Sequence, residues 1–597
     1  MRPTPRRLHE SSKPPGSVAV LEGWIGWSDR RLEDRNPRDS ESFRVYASGR
    51  PGPGPVLTSG AAMNVLSLEN PADRLLGRCL RRQAEKIPDD DFIVWNAEHY
   101  SYGRVNELAN ASARGFQKAG IGAGDNVCFL MDTCPEWVWT TLGLNKLGAI
   151  WIPTNVDYKG PWLRESLEGS AARILLADAH LLPRLAELGS LPFDRIIVRG
   201  DATNLDLATP LMEIGELTGV AGEEPDDDAL RYGDDAAILW TSGTTGRAKG
   251  VRQSHNAWIR GAIDGMLSSG LRDGEIIYNC LPMYQSAAWV ANVYRALVAG
   301  VPCAMDPRFS ASEFWNRTRH YGATMVFTLG AMHMFLWNAP ERDDDADNPV
   351  RTASMIPMPD DLVPRFKERF AIDEIAQGYG QSEVMGLLSR RPGKSYAPNA
   401  LGEPNAGIEV KLLDEDDFEV PVSEVGEFCV RPTEPYAIFN GYFNDPEATL
   451  QAWRNLWYHT GDLGRRDEDD QWYFVDRKAD FIRFGGRNIS SFAVEAAVSA
   501  HPAVLQCAAH GITSKELASE AELKVCVILK PGATAKPEEI ARFVNDNAPH
   551  FFVPRYIEFV DELPQTPTGR VQKFKLRERG VTAETWDARA AGFQVER

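Results

Sequence analysis

Apolar positions follow two alternating periods along most of the chain. Leu75 to Glu85 and Glu136 to Leu147 repeat at helical spacing. Val127 to Met131, Ile150 to Pro153, Arg173 to Leu176, Arg195 to Val198 and Ala237 to Trp240 are short, nearly continuous apolar runs that predict buried strands. Strands that alternate with helices over this length imply α/β layering with largely parallel sheets. The cluster Gly120-Ile121-Gly122-Ala123-Gly124 precedes a strand instead of following one, so it predicts a helix-ending turn and not a dinucleotide-binding loop. No internal repeat is visible.

The first 62 residues break this pattern. They hold eight Pro and seven Gly, including the run Arg50 to Pro55, and little apolar periodicity. The composition predicts a disordered or spurious N-terminal extension. Acidic residues from Glu10 onward argue against a transit peptide, and Glu22 interrupts the one apolar patch that resembles a signal segment. Patterned sequence opens at Met63.

Of 597 residues, 43% are hydrophobic and 25% charged, as in ordinary globular proteins, and the length calls for more than one domain. The net charge of −19 argues against non-specific nucleic-acid binding. No apolar run approaches the roughly 18–20 residues that span a bilayer. Eight scattered Cys without a C-x-x-C pair argue against a zinc site or a disulfide framework and predict a reducing, cytoplasmic setting. The charge is uneven: +3 over residues 1–62, +2 over 477–597 and −24 between. The acid clusters at 89–91, 226–228, 343–345 and 467–470 lack a calcium-loop spacing and predict solvated loops.

The densest chemistry is Thr241-Ser242-Gly243-Thr244-Thr245-Gly246, followed by Arg247, Ala248 and Lys249, directly after the strand 237–240. Four hydroxyls, two glycines and a lysine within nine residues suit a polyphosphate. Glycines let backbone N–H groups approach an anion, and hydroxyls donate to its oxygens. The spacing is not that of a Walker loop.

This loop resembles the signature of the adenylate-forming superfamily, which includes acyl-CoA synthetases, nonribosomal peptide adenylation domains and beetle luciferases. Further motifs follow in the same order. Tyr379-Gly380-Gln381-Ser382-Glu383 is similar to the family's aromatic-Gly-x-Thr-Glu, which implies adenine stacking by Tyr379, a phosphate contact from Ser382 and Mg²⁺ on Glu383, with Thr241 a second candidate ligand. Tyr458 to Asp462 contains the T-G-D whose aspartate binds the ribose; a carboxylate suits a vicinal diol because it accepts two hydrogen bonds at once. Asp476-Arg477, Gly485-Gly486 and Glu495 resemble the opening of the small C-terminal domain, and Pro564 to Arg577 the catalytic-lysine segment. Asn488 to Phe492 and Leu329 to Met332 are similar to crotonobetaine/carnitine-CoA ligase-like members.

The resemblance implies an extension over 1–62, an adenylation domain over 63–476 of layered sheets and helices, and a small mobile α+β domain over 477–597. It implies an acid–thiol ligase that uses ATP and Mg²⁺ to turn a carboxylic acid into an acyl-adenylate, then passes the acyl group to CoA, in a setting such as fatty acid metabolism. Lys249 and the 241–246 loop would hold the β and γ phosphates, and Gly485 and Gly486 would let the pantetheine arm pass close to backbone. The ligands are polyanions and the large domain is acidic, so ATP must be held locally. Arg477, Arg487, Arg570 and Lys573 bring positive charge from the small domain.

Four departures from the family pattern stand out. The catalytic lysine position is Arg570, with Lys573 three residues on, and either could serve adenylation. The hinge position is Ala479. A segment that often ends in His ends here in Gln285, expected at the pocket entrance. The adenine-flanking Gly-Ala-Pro becomes Ile356 to Pro359. Gln285, Trp289 and Gly330, with Asn292, Met332 and Met334, are the expected pocket residues, against the ordinary reading of Trp and Met as core. Three rival functions exist: a stand-alone enzyme loading a carrier-protein phosphopantetheine, a non-catalytic relative and a dinucleotide oxidoreductase. Only eighteen residues follow Arg579, too few for a fused carrier domain in this sequence. The acid's identity and self-association as a homodimer stay open.

Overall fold

A computed structural model describes residues 64–201, 207–219, 222–241, 249–478, 480, 482–484, 487–513, 521–565 and 571–595. The predicted extension over 1–62 lies outside them. Two seven-stranded sheets form the body of the large region. The first runs, in spatial order, through Leu211–Glu213, Arg195–Arg199, Ile174–Asp178, Asn126–Leu130, Ile150–Pro153, Asp235–Thr241 and Lys249–Ser254. All its neighbours are parallel except the last pair. Ile150–Pro153 and Ile174–Asp178 are buried along their whole length, as parallel strands covered on both faces must be. Helix Pro135–Leu147 has almost no exposed face and ends on Gly148 at φ 70°, a left-handed cap that glycine adopts without strain.

The second sheet orders Glu374–Ala376, Thr352–Ile356, Met325–Leu329, Ile277–Asn279, Cys303–Met305, Asp91–Trp95 and Glu98–Ser101. Trp137, Trp151, Trp258, Trp289 and Tyr294 meet in one aromatic cluster within the core. Such contacts each add roughly 0.5–1.5 kcal/mol beyond simple burial.

The two seven-stranded sheets are parallel apart from one edge pair each, whereas a third sheet is antiparallel. Ile408–Leu413, Val425–Pro432, Trp457–Arg466 and Trp472–Arg477 pair antiparallel in that order, with the short strand Trp453–Arg454 alongside Trp457–Arg466. Its last pairing sets Asp462 opposite Arg477. A small α+β region follows, with a four-stranded sheet of Val504–Thr513, Ala521–Leu529, Tyr556–Phe559 and Trp586–Asp587. Val494, Val498, Val525, Ile540 and Ile557 form its own core.

Two acid clusters are not simply solvated loops. Asp227 pairs with Arg78 at 2.8 Å and Asp345 with Arg369 at 2.7 Å, and both acids are buried. An arginine beside each repays the desolvation that a bare carboxylate would suffer. All eight Cys are free and buried. No helix among the described residues is long and apolar enough to cross a membrane.

Candidate active site

The two strands that flank residues 242–248 end side by side at the edge of the first sheet. Thr241 pairs with Lys249, and its hydroxyl donates to the Lys249 carbonyl at 3.3 Å. Ser242, Gly243, Thr244, Thr245 and Gly246 lie outside the described residues. Lys249 places its ammonium 4.8 Å from the centre of the Tyr442 ring. The Tyr442 hydroxyl in turn donates to Glu383 Oε1 at 3.0 Å.

Glu383 is buried and held from several sides. Its carbonyl accepts from Phe439 N at 2.8 Å, and the Gln253 amide bonds the preceding carbonyl of Ser382. The Arg260 guanidinium spans the carbonyls of Val384, Gly386 and Ala437, with Asp264 at 2.7 Å as its counter-charge. Gly380 permits the tight turn, since a Cβ there would meet the Met385 carbonyl at 2.8 Å. Burial pushes the Glu383 carboxyl above its ordinary range, while Tyr442 and Lys249 pull it back.

Asp462 sits 4% exposed at the other end of the same group. Its Oδ2 accepts from the Tyr379 hydroxyl and from Gln381 Nε2 at 2.7 Å, and its Oδ1 lies 3.7 Å from Arg477 Nε. Burial raises its pKa above the ordinary carboxylate range, and Arg477, Tyr379 and Gln381 oppose the rise. The Tyr379 ring packs beside Phe428 and Phe474 at 5.4 and 6.0 Å. Tyr458 closes the circuit, bonding Tyr442 and donating to Gln381 Oε1 at 3.0 Å. Lys249, Glu383, Tyr379, Asp462 and Arg477 are thus brought into one polar network by Tyr442, Tyr458 and Gln381, while Ser382 is tied in only through its backbone carbonyl, which Gln253 holds.

Sequence reasoning missed those three connecting residues, together with Arg260 and Gln253. Gln381 and Tyr458 lie inside the quoted motifs but carry no sequence signal of their own. Tyr442 is supplied by a loop 59 residues beyond Glu383, and only the fold reveals it.

In the small region the Lys573 ammonium pairs with Glu495 at 2.8 Å and donates to the Ser491 hydroxyl. Ser491 in turn caps Asp476 through its backbone N–H and its hydroxyl. The lysine charge therefore neutralises a partly buried carboxylate inside the small region. Arg570, Ala479, Gly485 and Gly486 lie outside the described residues.

The expected pocket is corrected in part. Trp289 is fully buried in the aromatic cluster and donates to the Met283 carbonyl at 2.7 Å, so it is core. Asn292 is likewise buried, bonding Asn279. Gln285 is partly exposed and bonds Tyr284. Gly330 is partly buried, and an added Cβ there would come into ordinary contact with Pro357 at 3.9 Å. Met332 and Met334 are partly buried on the same helix, Gly330–Asn338, and the Pro357 carbonyl is fixed by His333.

Residues 80–443 match the model of the AMP-binding enzyme family, and residues 493–570 that of the AMP-binding enzyme C-terminal domain. The crotonobetaine/carnitine–CoA ligase of Escherichia coli (strain K12 / DH10B) is 30% identical over 495 residues, spanning 80% of this chain and 93% of that protein. The fold is similar to that of an anthranilate CoA ligase in complex with anthranoyl-AMP, with a TM-score of 0.75, 24% identity and coverage of 86% of this chain and 98% of that one. It is also similar to an O-succinylbenzoate coenzyme A synthetase from Bacillus subtilis in complex with ATP and a magnesium ion, with a TM-score of 0.72, 21% identity and coverage of 83% and 98%. This chain belongs to the AMP-binding enzyme family.

Proposed function

We propose that the protein activates a carboxylic acid with ATP and transfers the acyl group to CoA, giving an acyl-CoA thioester, AMP and pyrophosphate. The observation that carries this reading is the polar network running from Lys249 through Tyr442, Glu383, Tyr458 and Gln381 to Asp462 and Arg477. It sets a cation at one end, an acceptor for a diol at the other and an oxygen ligand between them.

In the first step a carboxylate oxygen of the acid bonds the α-phosphorus of ATP, and the bond to the bridging oxygen breaks to release pyrophosphate. Both reactants are anionic, so the task is to bring them together and offset their charge. Lys249 and the 241–246 loop take the β and γ phosphates. Asp462 accepts from the ribose hydroxyls, held in place by Gln381 and Tyr379. Tyr379 forms a wall for the adenine, and Arg477 closes on the ribose side of Asp462.

Glu383 fits a magnesium ion. It is a buried carboxylate kept beside hydroxyl groups, and hard oxygen donors are what this cation takes. When bound, the ion supplies Lewis-acid polarisation of phosphate oxygens. Thr241 offers a second oxygen near the same loop.

In the second step the CoA sulfur, having lost its proton, bonds the acyl carbon and AMP leaves. We assign Gly485 and Gly486 to the passage of the pantetheine arm and Arg570 to the charge that forms during adenylation. We take residues 63–476 and 477–597 as the working domains and place the enzyme in the cytoplasm, a setting supported by eight unpaired cysteines. Acid-dependent release of pyrophosphate, measured with and without CoA, tests the reading; release that ignores added acid would overturn it.

A further inference from the structure

Arg295 is a buried cation without an acid. It lies 5% exposed on helix Tyr294–Ala299, and among the described residues no carboxylate pairs with it. Its Nε has no hydrogen-bond partner, and Nη1 has only the Met325 thioether sulfur at 3.7 Å. The other deeply buried arginine among the described residues, Arg260, has Asp264 and several carbonyls. A charge buried without a partner costs several kcal/mol in general, so a protein that keeps one needs an anion there from elsewhere. Burial lowers the guanidinium only to about 10, which leaves it charged at neutral pH.

Its position relates it to the reaction site. Helix His255–Ser269 carries Gly261 and Gly265, one turn apart on the same face. A Cβ at Gly261 would meet Val290 at 2.7 Å and Met385 at 2.9 Å; a Cβ at Gly265 would meet Arg295 Nη2 at 2.7 Å. Met385 is two residues beyond Glu383. Met385 and Arg295 therefore lie directly on the backbone of one helix, separated by about 6 Å along its axis.

We propose that Arg295 is a specificity-determining residue that receives a second carboxylate at the far end of the substrate, so that the acid activated here is a dicarboxylic acid. This inference rests on the ligase reading above. A guanidinium offers a planar pair of donors that match a carboxylate, and in a dry site that pair discriminates strongly against a methyl end.

The test compares straight-chain dicarboxylic acids from succinate to sebacate with monocarboxylic acids of the same length, and with crotonobetaine, whose far end is a quaternary ammonium. Acid-dependent pyrophosphate release is followed in the full chain and in Arg295→Met. The wild type should favour its best dicarboxylate by about 10- to 100-fold in kcat/KM, with crotonobetaine poorest, and Arg295→Met should lose that preference. A wild type that prefers monocarboxylates or crotonobetaine, or a preference unchanged in Arg295→Met, would overturn the assignment.

Silence from every acid would instead overturn the ligase reading, and melting temperatures then judge Arg295 separately. Arg295→Met should melt higher than wild type, and the dicarboxylates should raise the wild-type melting temperature and leave that of the variant unmoved. A variant that melts lower and responds equally to the acids would make Arg295 a structural cation only.

Discussion

Gln381 Nε2 lies 2.7 Å from Asp462 Oδ2, and the same amide nitrogen reaches the Thr460 carbonyl at 2.9 Å. One side chain thus ties the Tyr379–Glu383 segment to the strand that carries Asp462, the proposed ribose acceptor. Its carbonyl end is fixed by Tyr458 at 3.0 Å, so the amide cannot turn without breaking both contacts. Gln381→Leu should raise KM for ATP by about 10- to 100-fold, the worth of a hydrogen bond to a charged group, with a smaller effect on kcat. Steady-state kinetics at varied ATP checks this. An unchanged KM would show that Asp462 needs no such support.

The site carboxylates set the acid limb of activity. Burial raises both Glu383 and Asp462 above the ordinary carboxylate range, and both act ionised. Protonation therefore sets in at a higher pH than for an exposed carboxylate, and activity should fall as pH drops through that raised range. The same shift opposes folding at neutral pH, because the unfolded chain ionises these groups more readily. Gln381→Leu removes a donor to Asp462, so its acid limb should move to still higher pH. A pH profile of kcat/KM for ATP in both proteins decides the sign.

Lys573 separates a structural from a catalytic lysine. With its partner Glu495 partly buried, Lys573→Met should cost roughly 2 kcal/mol of stability, since it leaves a carboxylate uncompensated. Urea unfolding measures that loss, and single-turnover adenylate formation in the folded variant should stay near wild type. Arg570→Ala should behave in the opposite way, with stability kept and adenylate formation slowed. Equal adenylation rates in wild type and both variants would remove the C-terminal segment from the first half-reaction.

Glu427 gives a stability signature at low pH. Burial alone would raise its carboxyl, but bonds from His459, Lys478 and Gly461 N outweigh that and hold it at about 2, against 4.5 for the free side chain. The folded value is depressed, so this stabilisation is complete above about 4.5 and disappears as pH falls from there toward 2. Its ceiling is about 3 kcal/mol. In Glu427→Gln this part of the acid-induced loss should vanish and stability near pH 7 should be lower. Urea midpoints across that window provide the check.

Much of this was legible in the sequence, for physical reasons. Ile150–Pro153 was found to the residue because an unbroken apolar run between turn residues has few other uses. The motifs around Thr241, Glu383 and Asp462 stood out because phosphate, metal and diol each demand a narrow set of side chains. The antiparallel sheet around Val425–Pro432 was not foreseen, since long-range pairing leaves no local period. Trp289 could not be assigned from composition, because an indole at a pocket wall and one in a core look alike along the chain. Tyr442 and Arg260 act through contacts far apart in sequence, and their side chains carry no signature outside the folded molecule.

The central claim is that the acyl group ends on the CoA sulfur. Incubation of the full chain with ATP, magnesium, CoA and a panel of carboxylic acids, followed by mass analysis of the products, tests it most directly. The account predicts an acyl-CoA thioester formed in equal amount with AMP and pyrophosphate, and none when the acid or ATP is left out. An acyl-adenylate that accumulates in the presence of CoA, with no thioester formed, would contradict it.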